Sequence, residues 1–453
     1  MPPIRFLPPR PLSGRAILSA GLAGGTCFTG LANGVDRNGS GARAMALAGA
    51  DAALADTPLS ALAANPAGLG GQDGTRLELG LVGGVPGGDF SNAANVDAPL
   101  SRSLGALPEF AVAFPAGVPR LGLGVSFTPD ALLAARWHYA DAPGGLSGGT
   151  SYGDLIHRSE ILSARSALAA GFAVNEWLAV GGSIGLLYNR NELETAYVFQ
   201  SHPVLRGFKT LVDLDTDGLG VDGEFGVLLT ASDRLKLAVT YKTPSRVEAE
   251  GTLTGNAGAE LTALGPPFST LPPSFAYDAE VETTFPQQVT AGVAWQAAPE
   301  WRLLAQVDWV HWSDAFDDLP LRLRNGTNAG LNAILGSDAL DDSIPLRWQD
   351  RLVYRAGVEY APGRHWAFRA GYSFGDSPVP DGTLTPLTAA IMEHTVGAGA
   401  GYRWRRWQVD AAWQWDLPAN RRVGTSDLLA GEYSGSSVTV DVQWFGLTVG
   451  FAF

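Results

Sequence analysis

Few residues in this chain could carry out chemistry. The six histidines, at 138, 157, 202, 311, 365 and 394, are scattered along it. His311 lies two residues from Ser313, a spacing that would put both side chains on one face of a strand. No activating acid or oxyanion motif accompanies them, so no catalytic residue is assigned and His311-Trp312-Ser313 reads as interfacial. Asp213, Asp215, Asp217, Gly218 and Glu224 satisfy the spacing of an EF-hand loop. Glu224, however, falls in the run Val221, Gly223, Phe225, Val227, Leu229, and no flanking helices are expected. The segment therefore reads as an acidic outer loop entering a strand, and no metal is assigned. That leaves Arg355 and Arg369, which could hold a ligand carboxylate bidentately. The competing reading makes them structural arginines tied to acids such as Asp51 or Asp56.

The bulk numbers narrow the classes further. Charged residues are only 17% and the net charge is −14, which argues against nucleic acid as a partner. Residues 1–32 hold Arg5, Arg10 and Arg15 and no acid, run through Ala16-Ile17-Leu18, and end in small residues at Gly30-Leu31-Ala32. That is the composition of a secretory signal. The single cysteine, Cys27, lies inside it, so the mature chain would have no disulfide, thiolate metal site or cysteine nucleophile. No run of 18 apolar residues exists, but a membrane strand needs only about 9–11 residues of alternating pattern.

Alternation is the rule from Thr75 to Phe453. Trp366, Phe368, Ala370, Tyr372 and Phe374 share one face, opposite His365, Ala367, Arg369, Gly371 and Ser373. Arg351, Arg355, Arg403, Asp308, Asp410 and Lys236 also fall on the polar face of their strands. Aromatic residues cluster near strand ends: Trp177 and Tyr188, Trp301 and Trp309, Tyr402 and Trp407. Strands are expected near 75–86, 108–116, 119–140, 159–174, 177–199, 210–231, 234–254, 277–297, 301–325, 347–361, 364–375, 393–405, 407–417 and 438–453. The links after every second strand are tight turns and the others are long and polar. An even number of strands, fourteen here, with short turns on one side and long loops on the other is the pattern of an all-β outer-membrane barrel of antiparallel strands.

Residues 38–69, NGSGARAMALAGADAALADTPLSALAANPAGL, are unlike the rest. Ala, Gly and Leu dominate, and a fourteen-strand barrel approaches the size that leaves an open channel. Many inward positions are small: Gly181, Ser183, Gly185, Gly292, Ala294, Gly397, Gly399 and Gly401. The expected organisation is thus a signal peptide at 1–32, a small, partly helical hatch at 33–74 plugging the lumen, and a barrel at 75–453. Arg43 would be buried there and must be paired, with Asp308, Asp410 and Glu359 as candidates.

The hatch sequence Gly39-Ser40-Gly41-Ala42-Arg43-Ala44-Met45 and the motif Asn65-Pro66-Ala67-Gly68-Leu69 resemble those of the FadL-type (OMPP1/FadL/TodX) transporters for long-chain fatty acids and hydrocarbons. So do Phe285-Pro286-Gln287, Asp308-Trp309-Val310-His311-Trp312-Ser313, Arg369-Ala370-Gly371-Tyr372 and Gly399-Ala400-Gly401-Tyr402. The resemblance covers nearly the whole mature chain. It implies passive uptake of hydrophobic small molecules across the Gram-negative outer membrane, gated by the hatch, with lateral exit where the third strand kinks. Gly122, Gly124 and Pro129 are the kink candidates, and Gly39, Gly41, Arg43, Asn65, Pro66 and Ala67 the hatch motif. The implied partners are a hydrophobic ligand, outer-membrane lipid and lipopolysaccharide; a monomer without cofactors is expected. The rival readings are a surface barrel acting as adhesin or receptor, and a barrel lipase.

Overall fold

The structure, a computed structural model, describes residue 34 and residues 37–102 and 105–453. The expected signal peptide, with Cys27, lies outside them. Fourteen antiparallel strands among the described residues close on themselves. They are β1 (Arg76–Ser91), β2 (Gly105–Pro115), β3 (Leu121–Ala140), β4 (Asp154–Ala173), β5 (Leu178–Val198) and β6 (Lys209–Ser232). Then come β7 (Leu235–Lys242 with Ser245–Asn256), β8 (Ser274–Phe285 with Gln288–Ala298), β9 (Trp301–Val310 with Asp318–Arg324) and β10 (Leu340–Pro345 with Arg351–Tyr360). β11 (Trp366–Gly375), β12 (His394–Trp404), β13 (Trp407–Arg422) and β14 (Ser437–Ala452) complete the wall. Closure is made by β1 against β14, in register from Arg76↔Ala452 to Ser91↔Ser437. The terminal strands β1 and β14 are therefore left with no free edge, as a strand wall in hydrocarbon requires.

Side-chain alternation sets which face meets lipid. On β6, Val221 and Phe225 are exposed while Asp222 and Glu224 between them are buried. Leu168 and Ile184 are 67% and 69% exposed. Apolar side chains that bare would be anomalous on a water-facing surface, and acyl chains account for them. Trp177, Trp301 and Trp407 lie exposed at the short-turn end, as girdle residues should. Tyr188 differs: it is 6% exposed and lies in the middle of β5 rather than at a strand end.

Two expectations are corrected. Residues 213–217 are not a loop: β6 runs unbroken from Lys209, and Asp213 and Asp215 point outward from it. The strand extends past the bilayer, where an outward carboxylate meets water and costs little. Four strands are each interrupted once, at residues 243–244, 286–287, 311–317 and 346–350. The third interruption holds a one-turn helix, Trp312–Ala315, so His311 and Ser313 do not share a strand face. Trp312 turns inward and is fully buried against Trp348, ring centroids 5.2 Å apart, rather than standing at the interface.

Residues 38–70 fill the barrel. They form α1 (Gly41–Ala46), α2 (Pro58–Ala63) and a 3₁₀ turn (Pro66–Leu69). Thr57 Oγ1 accepts from Ser60 N to start α2, with Pro58 at its first position. Helices of six residues are not stable alone. Burial holds them: Leu47, Leu59, Leu62 and Leu69 are fully enclosed, each worth about 2 kcal/mol. Carboxylates of the wall complete the helix starts, since Gly41 N donates to Glu109 Oε1 and Leu59 N to Glu78 Oε2, both at 2.8 Å.

Close approach to the wall requires glycine. A Cβ at Gly371 would stand 2.1 Å from Leu47 C, and one at Gly122 2.0 Å from Leu69 O. At Gly181 it would meet Pro66 C at 2.3 Å, and at Gly226 Asn65 Oδ1 at 2.1 Å. Of the small inward residues read from the sequence, Gly181, Gly292 and Gly397 thus face the hatch backbone, whereas Gly185 and Gly401 make room for Arg165 with Asp222 and for Arg369 with Asp410.

Candidate functional site: a chamber, a hatch and a gap in the wall

Above the hatch, toward the long loops, lies an apolar chamber of about 90 Å³. Leu133, Ile161, Leu214, Val281, Phe316 and Leu387 are among its walls. The interruptions in β9 and β10 create part of it, because residues freed from the ladder turn Phe316 and Trp348 inward, stacked at 4.7 Å. Its lid is the β11–β12 loop, which folds into the lumen. Trp137 Nε1 donates to Pro386 O (2.9 Å), Ser159 Oγ to Leu387 O (2.5 Å) and Thr383 Oγ1 to Leu346 O (2.6 Å). Ala390, Ile391 and Met392 of that loop are buried. Sequence reasoning missed Trp348, Phe316 and the loop. The signal present was the apolar run Ala389-Ala390-Ile391-Met392 inside a link otherwise rich in Pro, Thr and Asp.

Beside the hatch the ladder of the barrel wall is interrupted. The β2–β3 ladder runs from Pro115↔Gly122 to Phe110↔Phe127 and stops. β2 continues with β1 to Gly105, and β3 continues with β4 to Ala140. The two strands diverge where β3 carries a bulge: its register with β4 shifts between Pro129 and Ala131. Pro129 lacks the N–H a ladder needs, and Asp130 is the extra residue. Asp130 turns inward to Lys242 Nζ at 2.8 and 2.9 Å. Gly122 and Gly124 lie in the regular part below, under Leu69 and Leu62 of the hatch. Arg37 spans the divergence, its Nη1 donating to Glu109 Oε2 of β2 and to Pro129 O of β3, both at 3.3 Å. A charged cavity of about 120 Å³ lies inward of the bulge, with Asp51, Arg165, Lys242 and Arg355 on its walls.

The hatch motif residues are brought together. Gly39 and Gly41, with φ of 96° and 83°, let the chain turn into α1. Arg43 donates to Glu359 (Nε–Oε2 3.1 Å, Nη2–Oε1 3.3 Å) and to Asp56. Of the candidates, Glu359 is its partner; Asp308 and Asp410 serve others. Its charge is strongly favoured: burial opposes it, but Asp56 and Glu359 raise its pKa further. Asn65 is fully buried; its Oδ1 accepts from Ala67 N (3.0 Å) and its Nδ2 donates to Ala52 O (3.1 Å) and Val227 O (3.3 Å). Pro66 and Ala67 rest on Gly181. Asp51, beneath Ser60 Oγ at 2.7 Å, has its pKa pushed up to about 6 by burial.

The two arginines offered for a ligand carboxylate are both engaged. Arg355 donates to Asp308 (2.5 Å), Asn38 Oδ1 (2.5 Å) and Ala48 O (2.8 Å). Arg369 donates to Glu359 and Asp410, each at 2.7 Å. Ser313 Oγ donates to Asp350 Oδ1 at 2.7 Å, and His311 Nδ1 lies 2.8 Å from Gln287 Nε2. The serine's proton thus points at a carboxylate rather than at the imidazole, unlike a nucleophile–base pair.

An inward-plugged, wall-gapped strand barrel with an apolar lipid band is an outer-membrane channel. The chain belongs to the family described as outer membrane protein transport protein (OMPP1/FadL/TodX), which it matches over residues 29–453. It is 20% identical over 274 residues to the long-chain fatty acid transport protein of Salmonella typhi, a match spanning 58% of each chain. The structure is similar to that of a Pseudomonas aeruginosa FadL homologue, with a TM-score of 0.72, 17% identity and coverage of 93% and 100% of the two chains. It is also similar to the toluene transporter TbuX of Ralstonia pickettii (0.67, 19%, 92% and 99%) and to TodX of Pseudomonas putida (0.69, 17%, 92% and 99%). These likenesses concern the fold. Family and fold place the chain in the Gram-negative outer membrane.

Proposed function

We propose that this protein carries hydrophobic small molecules passively across the outer membrane. The route starts at the long loops, passes the apolar chamber, and leaves sideways between β2 and β3 when the hatch and Arg37 give way. The observation that carries this reading is the chamber beside a wall gap. Leu133 lines the chamber and stands on β3 just beyond the bulge at Asp130. An apolar cargo gains about 0.8 kcal/mol per CH₂ by staying out of water. The way straight down meets a close-packed hatch and the Arg43, Arg302 and Arg369 ion pairs, whereas the gap opens toward acyl chains.

Arg355 and Arg369 in this reading brace the hatch and the wall, and the chamber selects by apolar volume rather than by a carboxylate. The relatives' names cover both fatty acid and toluene, and a chamber of this lining suits a neutral hydrocarbon. Uptake of radiolabelled toluene and palmitate by cells expressing Leu133→Trp tests this. Filling the chamber should abolish toluene uptake while the barrel remains folded. Unchanged toluene uptake would remove the chamber from the route.

A further inference from the structure

Below the hatch, at the short-turn end, a vestibule of about 570 Å³ opens to the periplasm. Eight arginines and four carboxylates line it, although the whole chain carries a net charge of −14. The deep arginines are paired: Arg43, Arg302 and Arg369 share Asp56, Glu359 and Asp410. The rim arginines are not. Arg76, Arg364, Arg403, Arg405 and Arg406 have no carboxylate partner among the described residues. Arg403 Nη2 reaches only Gln408 Oε1 (3.1 Å), Arg76 Nη1 only the carbonyl of Asp56 (3.2 Å), and Arg405 stacks 4.9 Å over the Trp404 ring. The excess is local. The neighbouring short turns carry Arg120, Glu176, Asp233, Arg234 and Glu300, which nearly cancel.

Unpaired guanidinium groups held within one concave opening repel one another and are relieved by a carboxylate brought from outside. We propose that the vestibule docks an acidic segment of a periplasmic protein. Arginine gathered in a concave opening is also the charged residue type that protein interfaces favour. Lipid phosphate fits less well. Arg403 alternates with Tyr402 and Trp404, which face lipid, so its own position faces the lumen. Docking would also reach the hatch. Arg302 lies 3.8 Å from Asp56 and 3.1 Å from Glu359, so an arriving carboxylate competes for the cation that helps hold Asp56. The segment is therefore suited to loosen the hatch from below, at the moment a receiving protein is in place.

The test uses the full chain in neutral detergent and a fluorescent hexaglutamate peptide, read by anisotropy, with hexaglutamine as blank. Hexaglutamate should bind, and binding should weaken steeply between 50 and 300 mM salt, roughly as screening by ions demands. The double variant Arg403→Ala/Arg406→Ala, in exposed positions that carry no packing, should lose at least tenfold in affinity. Arg120→Ala/Arg234→Ala, at the other turns, should lose nothing. Equal binding by all three proteins overturns the proposal. So does displacement of the peptide by phosphatidylglycerol nanodiscs but not by phosphatidylcholine nanodiscs, which would assign the site to lipid headgroups. Because the readout is peptide binding, it stands or falls separately from hydrophobic uptake.

Discussion

Arg43 of the hatch and Glu359 of β10 form a two-bond ion pair, 3.1 and 3.3 Å, at the floor of the barrel. The same carboxylate takes Arg369 at 2.7 Å and Arg302 at 3.1 Å. Three cations thus converge on one acid, and Asp56 supplies the second negative charge on the hatch side. Removing one partner of a buried pair costs about 3–5 kcal/mol, because the other charge is left behind. Arg43→Ala should therefore unseat the hatch while leaving the wall intact. Planar-bilayer recordings should show a raised conductance, and heat-modifiable gel mobility should be unchanged. A closed, silent Arg43→Ala channel would show that burial alone keeps the hatch in place.

The glycine seats give a sharper contrast, between neighbours on one strand. A Cβ at Gly181 would meet the Pro66–Ala67 peptide at 2.3–2.4 Å, whereas one at Gly182 has its nearest neighbour at 3.6 Å. Gly181→Ala should push the Asn65-Pro66-Ala67 turn off the wall. Gly182→Ala, facing lipid, should be silent. Hydrogen exchange over residues 58–69 measures this, with at least a tenfold loss of protection expected for the first and none for the second.

Acid should tighten the hatch. Asp51 is buried, 4% exposed, with its pKa raised to about 6 against an ordinary 3.8. Ser60, Arg43 and Arg355 favour its charged form and Asp56 opposes it, but burial prevails. Between pH 4 and 6 the seated hatch keeps a proton that the released hatch gives up. The cost of the buried charge is therefore absent at low pH and complete above pH 6, roughly 3 kcal/mol for a shift of this size. Exchange protection of residues 51–63, corrected for intrinsic rates, should rise from pH 7.5 to 5.5. Asp51→Asn should be protected at both values; a persisting pH dependence in that variant would place the titration elsewhere.

The strands were legible because alternation has a period of two and one face must meet lipid, so Trp366, Phe368 and Tyr372 announced the outward side. The small inward residues announced something packed within. What stayed hidden depended on depth and register. Asp213 and Asp215 looked like loop residues because carboxylates are rare in strands, yet a strand that outruns the bilayer tolerates them. Trp312 looked interfacial because its neighbour Trp309 alternates properly; the ladder breaks one residue before Trp312 and turns it inward. Arg355 and Arg369 were correctly inward, but their partners lie on other strands and on the hatch. Arg369 sits directly opposite Glu359, and Arg355 opposite Gln306, two residues from Asp308. No local pattern carries that register.

The lateral gap yields the last prediction, because two features hold it in opposite senses. The bulge at Asp130 drives β3 away from β2 by breaking register, and Arg37 ties the two edges through Glu109 Oε2 and Pro129 O. Arg37 and Glu109 are nearly buried, with side chains 6% and 1% exposed, so screening does little to weaken their bond. Deleting Asp130 removes the extra residue and lets the ladder continue above Phe127. Uptake should then fall to background, with the barrel still assembled and heat-modifiable. Arg37→Ala should act the other way, unbolting the gap and raising the initial rate several-fold, since an interaction of about 1–3 kcal/mol is lost. Combining the two separates order from coincidence. If the gap is the exit, the double variant behaves as the deletion, because an unbolted door that has been zipped shut stays shut. If it transports as well as Arg37→Ala alone, cargo leaves by another way and the lateral exit is wrong.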